Sequence, residues 1–176
     1  GFAKAQHNLG YNYAHGDGVE QNYAEALSWY RKAADQGFAN AQLNLGTMYM
    51  DGFGVPKDDA QAVAWFQKAA AQGLANAQFA MGEACARGRG IQQDEKAAVE
   101  WYRKAADQGL ASAQNRLAAT YSEGKGIAKS DKEAYYWRLV AVRNDEKKRD
   151  QLYEARYPLT PEEIIEVEGR AAKWQP

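Results

Sequence analysis

Few side chains in this sequence have types and spacings that could do chemistry. The two histidines, His7 and His15, stand eight residues apart in one helical stretch. A helix rises 1.5 Å per residue, so they are separated by roughly 12 Å along the axis, too far to share one metal ion. A wet surface on either side of Tyr11 suits them better. A Ser-x-x-Lys string, the spacing of a serine nucleophile and its lysine, occurs at Ser122–Lys125. It crosses from a helix end into the Gly124 loop, whereas that chemistry needs both side chains on one helical turn. Gly-x-Gly strings at Gly16, Gly52, Gly88 and Gly124 suggest a phosphate cradle but lack a third glycine and a preceding strand. The single cysteine, Cys85, has no histidine on its helix face and falls at an apolar position, which suits an inert buried thiol. These readings leave no catalytic residue, no cofactor and no metal.

The bulk numbers exclude further classes. With 22 basic and 23 acidic residues the net charge is −1, so no basic excess points to nucleic acid. The apolar runs are short and rich in alanine, so no membrane insertion is expected. One cysteine forbids an internal disulfide and carries no redox information. The chain opens inside its own pattern without a methionine or leader, the form expected of a mature or trimmed piece with more of the same upstream.

The elements that would position any site follow from self-similarity. An opening at Gly1 returns at Gly37, Gly73 and Gly109, each time 36 residues later. A fixed period of this length marks a stacked-repeat architecture whose core is shared between neighbours. Four repeats are expected at 1–36, 37–72, 73–108 and 109–144, followed by a tail over 145–176. Each repeat reads as two helices. The first carries an apolar or small stripe, Ala41, Leu45, Gly46 and Tyr49 in the second copy. A mid-helix glycine costs about 1 kcal/mol, and its recurrence at Gly10, Gly46 and Gly82 predicts close approach of the partner helix backbone. Ala118 stands there in the fourth copy, as Cys85 stands at the tyrosine position of the third. The Gly-x-Gly loop should end the first helix with a left-handed glycine and fold its Val or Ile back as a plug.

Asn22, Asp58, Asp94 and Ser130 then read as N-caps of the second helices. Glu25, Gln61 and Glu133 are placed to complete capping boxes at three of them. Trp29, Trp65, Trp101 and Trp137 share one position in those helices and are expected in the core, where truncation to alanine costs roughly 3–5 kcal/mol. The tail is expected to run as helix to about Arg156, break at Tyr157-Pro158, and restart at Thr160-Pro161-Glu162-Glu163. That closing helix should face Ile164, Ile165, Glu168 and Ala172 one way, with Trp174 at its end.

The pattern A-x-A-Q…(L/M)-G-x-x-Y…G-x-G-V…A-x-x-W-(Y/F)-x-K-A-A-x-x-G resembles the Sel-one-like repeat, a relative of the tetratricopeptide repeat. The resemblance covers Gly1 to about Asn144, and the tail is similar to the capping helices of that family. It implies an all-α, right-handed α-solenoid of four 36-residue helix-pair repeats with C-terminal capping helices. It also implies a non-catalytic adaptor scaffold and, in bacteria, a periplasmic or envelope setting. Some cysteine-rich relatives have been linked to β-lactam binding.

Comparison between the copies separates scaffold from surface. On the first helices the changing positions lie opposite the repeated stripe, which in tetratricopeptide-like solenoids lines the concave surface. A protein or peptide is therefore expected on His7, Tyr11, His15, Leu43, Thr47, Met50, Phe79, Glu83, Arg87, Asn115, Arg116 and Glu123. Aromatic side chains among polar neighbours are typical interface anchors, although the same residues could pack against the adjacent first helix. The alternatives are an envelope scaffold binding glycan or peptidoglycan, and a β-lactam hydrolase using Ser122.

Overall fold

The computed structural model describes residues 1–143 and 158–176. The expected helical run to Arg156 and its break at Tyr157 lie outside those residues. The chain forms two compact bodies, Gly1–Gln93 and Asp94–Pro176, and each is described by itself. The N-terminal body holds α1 (Phe2–His15), α2 (Tyr23–Asp35), α3 (Ala39–Asp51), α4 (Asp59–Ala71) and α5 (Ala75–Arg87). The C-terminal body holds α6 (Glu95–Asp107), α7 (Ala111–Glu123), α8 (Asp131–Val142) and α9 (Pro161–Lys173). No strand occurs among the described residues.

The helix boundaries follow from their caps. Asn22, Asp58, Asp94 and Ser130 each accept a hydrogen bond from the backbone N–H three residues on. The boxes expected at Glu25, Gln61 and Glu133 do not form, because the cap N–H has another acceptor. Asn22, Asp58 and Ser130 donate to the carbonyls of Tyr13, Tyr49 and Tyr121 at 2.8–3.0 Å, which ties each second helix to the end of the first. The box closes both ways at Thr160 and Glu163, as expected. Gly16, Gly52, Gly88 and Gly124 end the first helices in the left-handed conformation. The plug expected behind them is not made: Val19, Val55 and Ile127 are half-buried and Ile91 is exposed, because the loop lies on the surface.

In the first two repeats the core is an aromatic ring set into a glycine. A Cβ on Gly10 would lie 2.8 Å from the Tyr30 ring, and one on Gly46 would lie 2.6 Å from the Phe66 ring. The space was expected to be taken by backbone; a side chain fills it, with the Ala62 carbonyl a further 3.0 Å neighbour at Gly46. The fourth repeat changes both partners together. Buried Ala118 takes the glycine position and exposed Arg138 the ring position. A similar paired change explains Cys85. Arg31 bonds the Tyr49 hydroxyl and Arg103 bonds the Tyr121 hydroxyl, whereas the equivalent positions hold Gln67 and buried Cys85.

The tryptophans correct the sequence reading. Trp29, Trp65 and Trp101 are half-buried on a rim. The lysine three residues on lies over each ring, with Lys32, Lys68 and Lys104 ammonium groups 4.0, 3.8 and 4.3 Å from the ring centres. Only Trp137 of the four is buried, and Val140 stands where the others have lysine.

Junctions between repeats use polar groups that the pattern A-x-A-Q contained but did not explain. Gln6, Gln42, Gln78 and Gln114 are buried. Gln42 and Gln114 donate to Ala34 and Ala106 carbonyls at 3.2 and 3.1 Å, adding a second donor at helix ends where Gly37 and Gly109 N–H groups already bond those oxygens at 2.9 Å. The second loop glycine meets backbone: a Cβ on Gly90 would stand 2.0 Å from the Asp59 oxygen and one on Gly126 2.2 Å from that of Glu95. The residue between the loop glycines reads the same helix start. Phe53 stacks on Tyr23 with centroids 4.9 Å apart, and Arg89 pairs with Asp59 at 3.1 Å.

The closing helix α9 packs on α8 through Ile164, Val167 and Ala171, with Glu168 accepting from the Tyr135 hydroxyl at 3.2 Å. The expected face was partly misplaced. Ile165 and Ala172 are exposed, since positions 164, 167, 168 and 171 make the continuous helical stripe.

Candidate binding site

The helices of the N-terminal body hold two open clefts on either side of one turn of α3. Thr47 lines one of them and Met50 the other. The smaller, of about 230 Å³, is apolar at its base, with Met50, Phe66, Phe79 and Ala84. Charges frame it but are already paired. Arg87 and Glu83 meet at 2.8 Å across one helical turn, and Arg89 is held by Asp59 and by the Met50 carbonyl at 3.3 Å. The Arg89 guanidinium, by hydrogen bond first and charge second, holds the Asp59 carboxyl below its usual range.

The larger cleft, of about 440 Å³, is aromatic. Tyr11 and His15 stack with ring centres 3.9 Å apart, and His15 Nδ1 donates to the Tyr11 carbonyl at 2.9 Å. The stacked Tyr23 and Phe53 also line it, with the Tyr30 ring, Asn44 and Thr47. Burial pushes the Tyr30 phenol up to about 12, against the hydrogen bond from Asn44 and with help from Tyr11.

The structure therefore brings Tyr11, His15 and Thr47 to one cleft and Met50, Phe79, Glu83 and Arg87 to the other. His7 belongs to neither. It does not flank Tyr11 on a wet surface: it is half-buried against Tyr30 and Phe38, centroids 5.5 and 5.2 Å away, with Asn44 Nδ2 3.1 Å from its Nε2. Leu43 is half-buried, its carbonyl taking the Thr47 hydroxyl at 3.1 Å. In the C-terminal body Asn115, Arg116 and Glu123 are exposed along α7. Gln21, Tyr23, Asn44 and Phe53 were missed by the sequence reading. The signal was present at two of them: position 23 and its equivalents read Tyr, Asp, Glu and Asp, and position 53 is equally variable, but only first helices were compared.

The Ser-x-x-Lys string has no catalytic geometry. Ser122 is on α7 and Lys125 lies beyond the left-handed Gly124. Lys125 reaches Glu123 at 2.6 Å, and that hydrogen bond and charge raise the lysine above its usual range, opposite to what a neutral amine base requires. Among the described residues no cluster of His, Cys, Asp and Glu could hold a metal, and no helix is long and apolar enough to cross a membrane.

The Sel1 repeat family profile matches residues 3–38, 39–74, 75–110 and 111–137. The chain belongs to the Sel1 repeat family. It is similar to a Sel1 repeat protein from Oxalobacter formigenes, with 33% identity over 99% of this chain and 74% of that one, and a TM-score of 0.78. It is also similar to a protective antigen of uropathogenic Escherichia coli strains displaying an SLR fold, at 30% identity, 98% and 45% coverage and a TM-score of 0.60. Cysteine-rich protein B of Helicobacter pylori is a third, at 25% identity, 64% and 86% coverage and a TM-score of 0.55. No match was found among curated proteins. Sel1 repeat proteins are generally protein-interaction scaffolds and typically non-catalytic. In the matched Sel1 frame the aromatic cleft draws on the first two repeats and the apolar cleft on the second and third.

Proposed function

We propose that this chain binds a protein or peptide segment on the variable face of its first helices, without catalysis. The observation that carries the reading is the pair of clefts flanking α3, one aromatic and one apolar, lined by seven of the side chains that vary between copies. An extended segment crossing that helix could place one anchor in each. Full-size interface anchors are buried aromatic or aliphatic groups ringed by polar ones, and the paired charges around Phe79 supply such a rim. The right-handed solenoid, its concave face, and the inclusion of Asn115, Arg116 and Glu123 belong to the same proposal.

Random peptides displayed on phage and panned against the folded chain test it. Enriched peptides should lose roughly tenfold or more in affinity with Phe79→Ala or Tyr11→Ala, the usual size of an anchor deletion. No enrichment, or binding indifferent to both changes, would refute it. Turnover of a chromogenic β-lactam abolished by Ser122→Ala would overturn its non-catalytic part.

A further inference from the structure

We propose that the aromatic cleft takes an uncharged, proline-rich segment in the polyproline conformation, a proposal that rests on the peptide-binding reading above. The first argument is charge. Lys, Arg, Asp and Glu make up 26% of the chain, yet none of the ten lining residues is one of them. A cleft so lined offers a charged segment no Lys, Arg, Asp or Glu counter-charge for the hydration it would lose on entry. The second is shape and surface. Tyr11 is 44%, Tyr23 36% and Phe53 43% exposed, three of the six exposed large apolar side chains among the described residues. Their rings are already set in two near-parallel stacks, tilted by 22° and 15°. Pyrrolidine rings pack on such faces, and a polyproline segment is stiff before it binds, so little ordering is needed on either side.

The third argument is hydrogen-bond sense. A proline-rich segment presents backbone carbonyls and few N–H groups, so its partner must donate. The Tyr23 hydroxyl accepts from Gln21 Nε2 at 3.1 Å, which leaves its own proton for an outside acceptor, and Gln21 is anchored in turn on the Ala14 carbonyl at 2.7 Å. The Tyr11 hydroxyl is a second donor on the same cleft. A neutral saccharide could also stack on these rings, but each sugar hydroxyl donates as well as accepts. The absence of any lining carboxylate disfavours that occupant.

The test is fluorescence anisotropy of the full chain with an end-capped, fluorescein-labelled (Pro-Pro-Ala)3 peptide. Saturable binding is expected, little changed by added salt, and weakened roughly tenfold by Tyr11→Ala. Tyr23→Phe, which removes the donor and keeps the stack, should weaken it several-fold, while Ile165→Ala, exposed on α9 and outside both clefts, should leave it unchanged. An alanine-for-proline version of the peptide should bind roughly tenfold more weakly. Unfolding midpoints of Tyr11→Ala and Tyr23→Phe near that of the parent confirm that the cleft, not the fold, was altered. The proposal is overturned if the prolyl peptide fails to saturate, binds no better than its alanine version, or is displaced by chitotetraose that itself binds. Enrichment of proline-free peptides that depend on Tyr11 would overturn it too, while leaving the broader peptide-binding reading intact.

Discussion

Adding one methyl group at Gly46 asks whether the repeat core is a ring seated on a bare backbone. The new Cβ of Gly46→Ala would lie 2.6 Å from Cδ1 and Cε1 of Phe66 and 3.0 Å from the Ala62 oxygen. Carbon atoms prefer about 3.5–4.0 Å, so the ring must withdraw by about 1 Å. Phe66 is buried, and the carbonyl is helix backbone, so neither yields easily. Overpacking of this kind costs roughly 1–3 kcal/mol, and the better helix propensity of alanine returns about 1 kcal/mol. With two ring atoms and a backbone atom in the way, a net loss of about 1–2 kcal/mol is expected. At this chain length that is a fall in Tm of roughly 2–8 °C. Urea unfolding of Gly46→Ala, Phe66→Leu and the double variant forms the decisive cycle. The smaller side chain should relieve the clash, so the double variant should lose about 1 kcal/mol less than the sum of the singles. The natural counterpart is Ala118, whose methyl is fully buried, so Ala118→Gly should lose about 1 kcal/mol of helix propensity and about 1 kcal/mol more for the lost burial. A more stable Gly46→Ala protein, or a strictly additive cycle, would show that the glycine is there for another reason.

Gly18→Ala and Gly90→Ala separate backbone strain from collision: both glycines have positive φ, but Gly18 has nothing within 4 Å of a Cβ and Gly90 has the Asp59 oxygen at 2.0 Å. Urea unfolding should show a loss of about 1–2 kcal/mol for the first and a clearly larger one for the second. Trp137→Ala should cost roughly 3–5 kcal/mol, while Trp65→Ala, at a half-exposed rim under Lys68, should cost distinctly less; equal losses would place both rings in the core. The Tyr30 phenol, raised by burial to about 12, keeps its proton in the folded chain where an unfolded tyrosine loses it near 10. Its stabilising contribution is complete below about pH 10 and is lost as pH rises toward 12, so urea midpoints should fall over that window and fall less in Tyr30→Phe.

Much of the fold was legible because it repeats. Any feature required at every junction appears several times, so the N-caps and the left-handed glycines could be read by comparing the chain with itself, while the closing helix start at Thr160 was legible from its own cap residues. The same comparison misled at the tryptophans. A position held constant by a rim contact to lysine looks no different, in one sequence, from a position held constant by the core. It also left the buried glutamines unexplained, since a side chain that satisfies the neighbouring helix carries no local signature.

For the candidate site, the sequence determined which first-helix positions vary and therefore which could serve recognition. Tertiary structure decided how they group: Thr47 and Met50 fall into different clefts one turn apart, His7 turns inward against Tyr30 and Phe38, and the variable loop and helix-start residues Phe53 and Tyr23 join Tyr11. The physical reason is separation along the chain. Local spacing sets which side chains share a helix face, because that geometry is fixed by the helix itself. Which faces meet depends on contacts about 30 residues apart, such as Phe53 on Tyr23 and Arg89 on Asp59, and those exist only once one repeat has packed against the next.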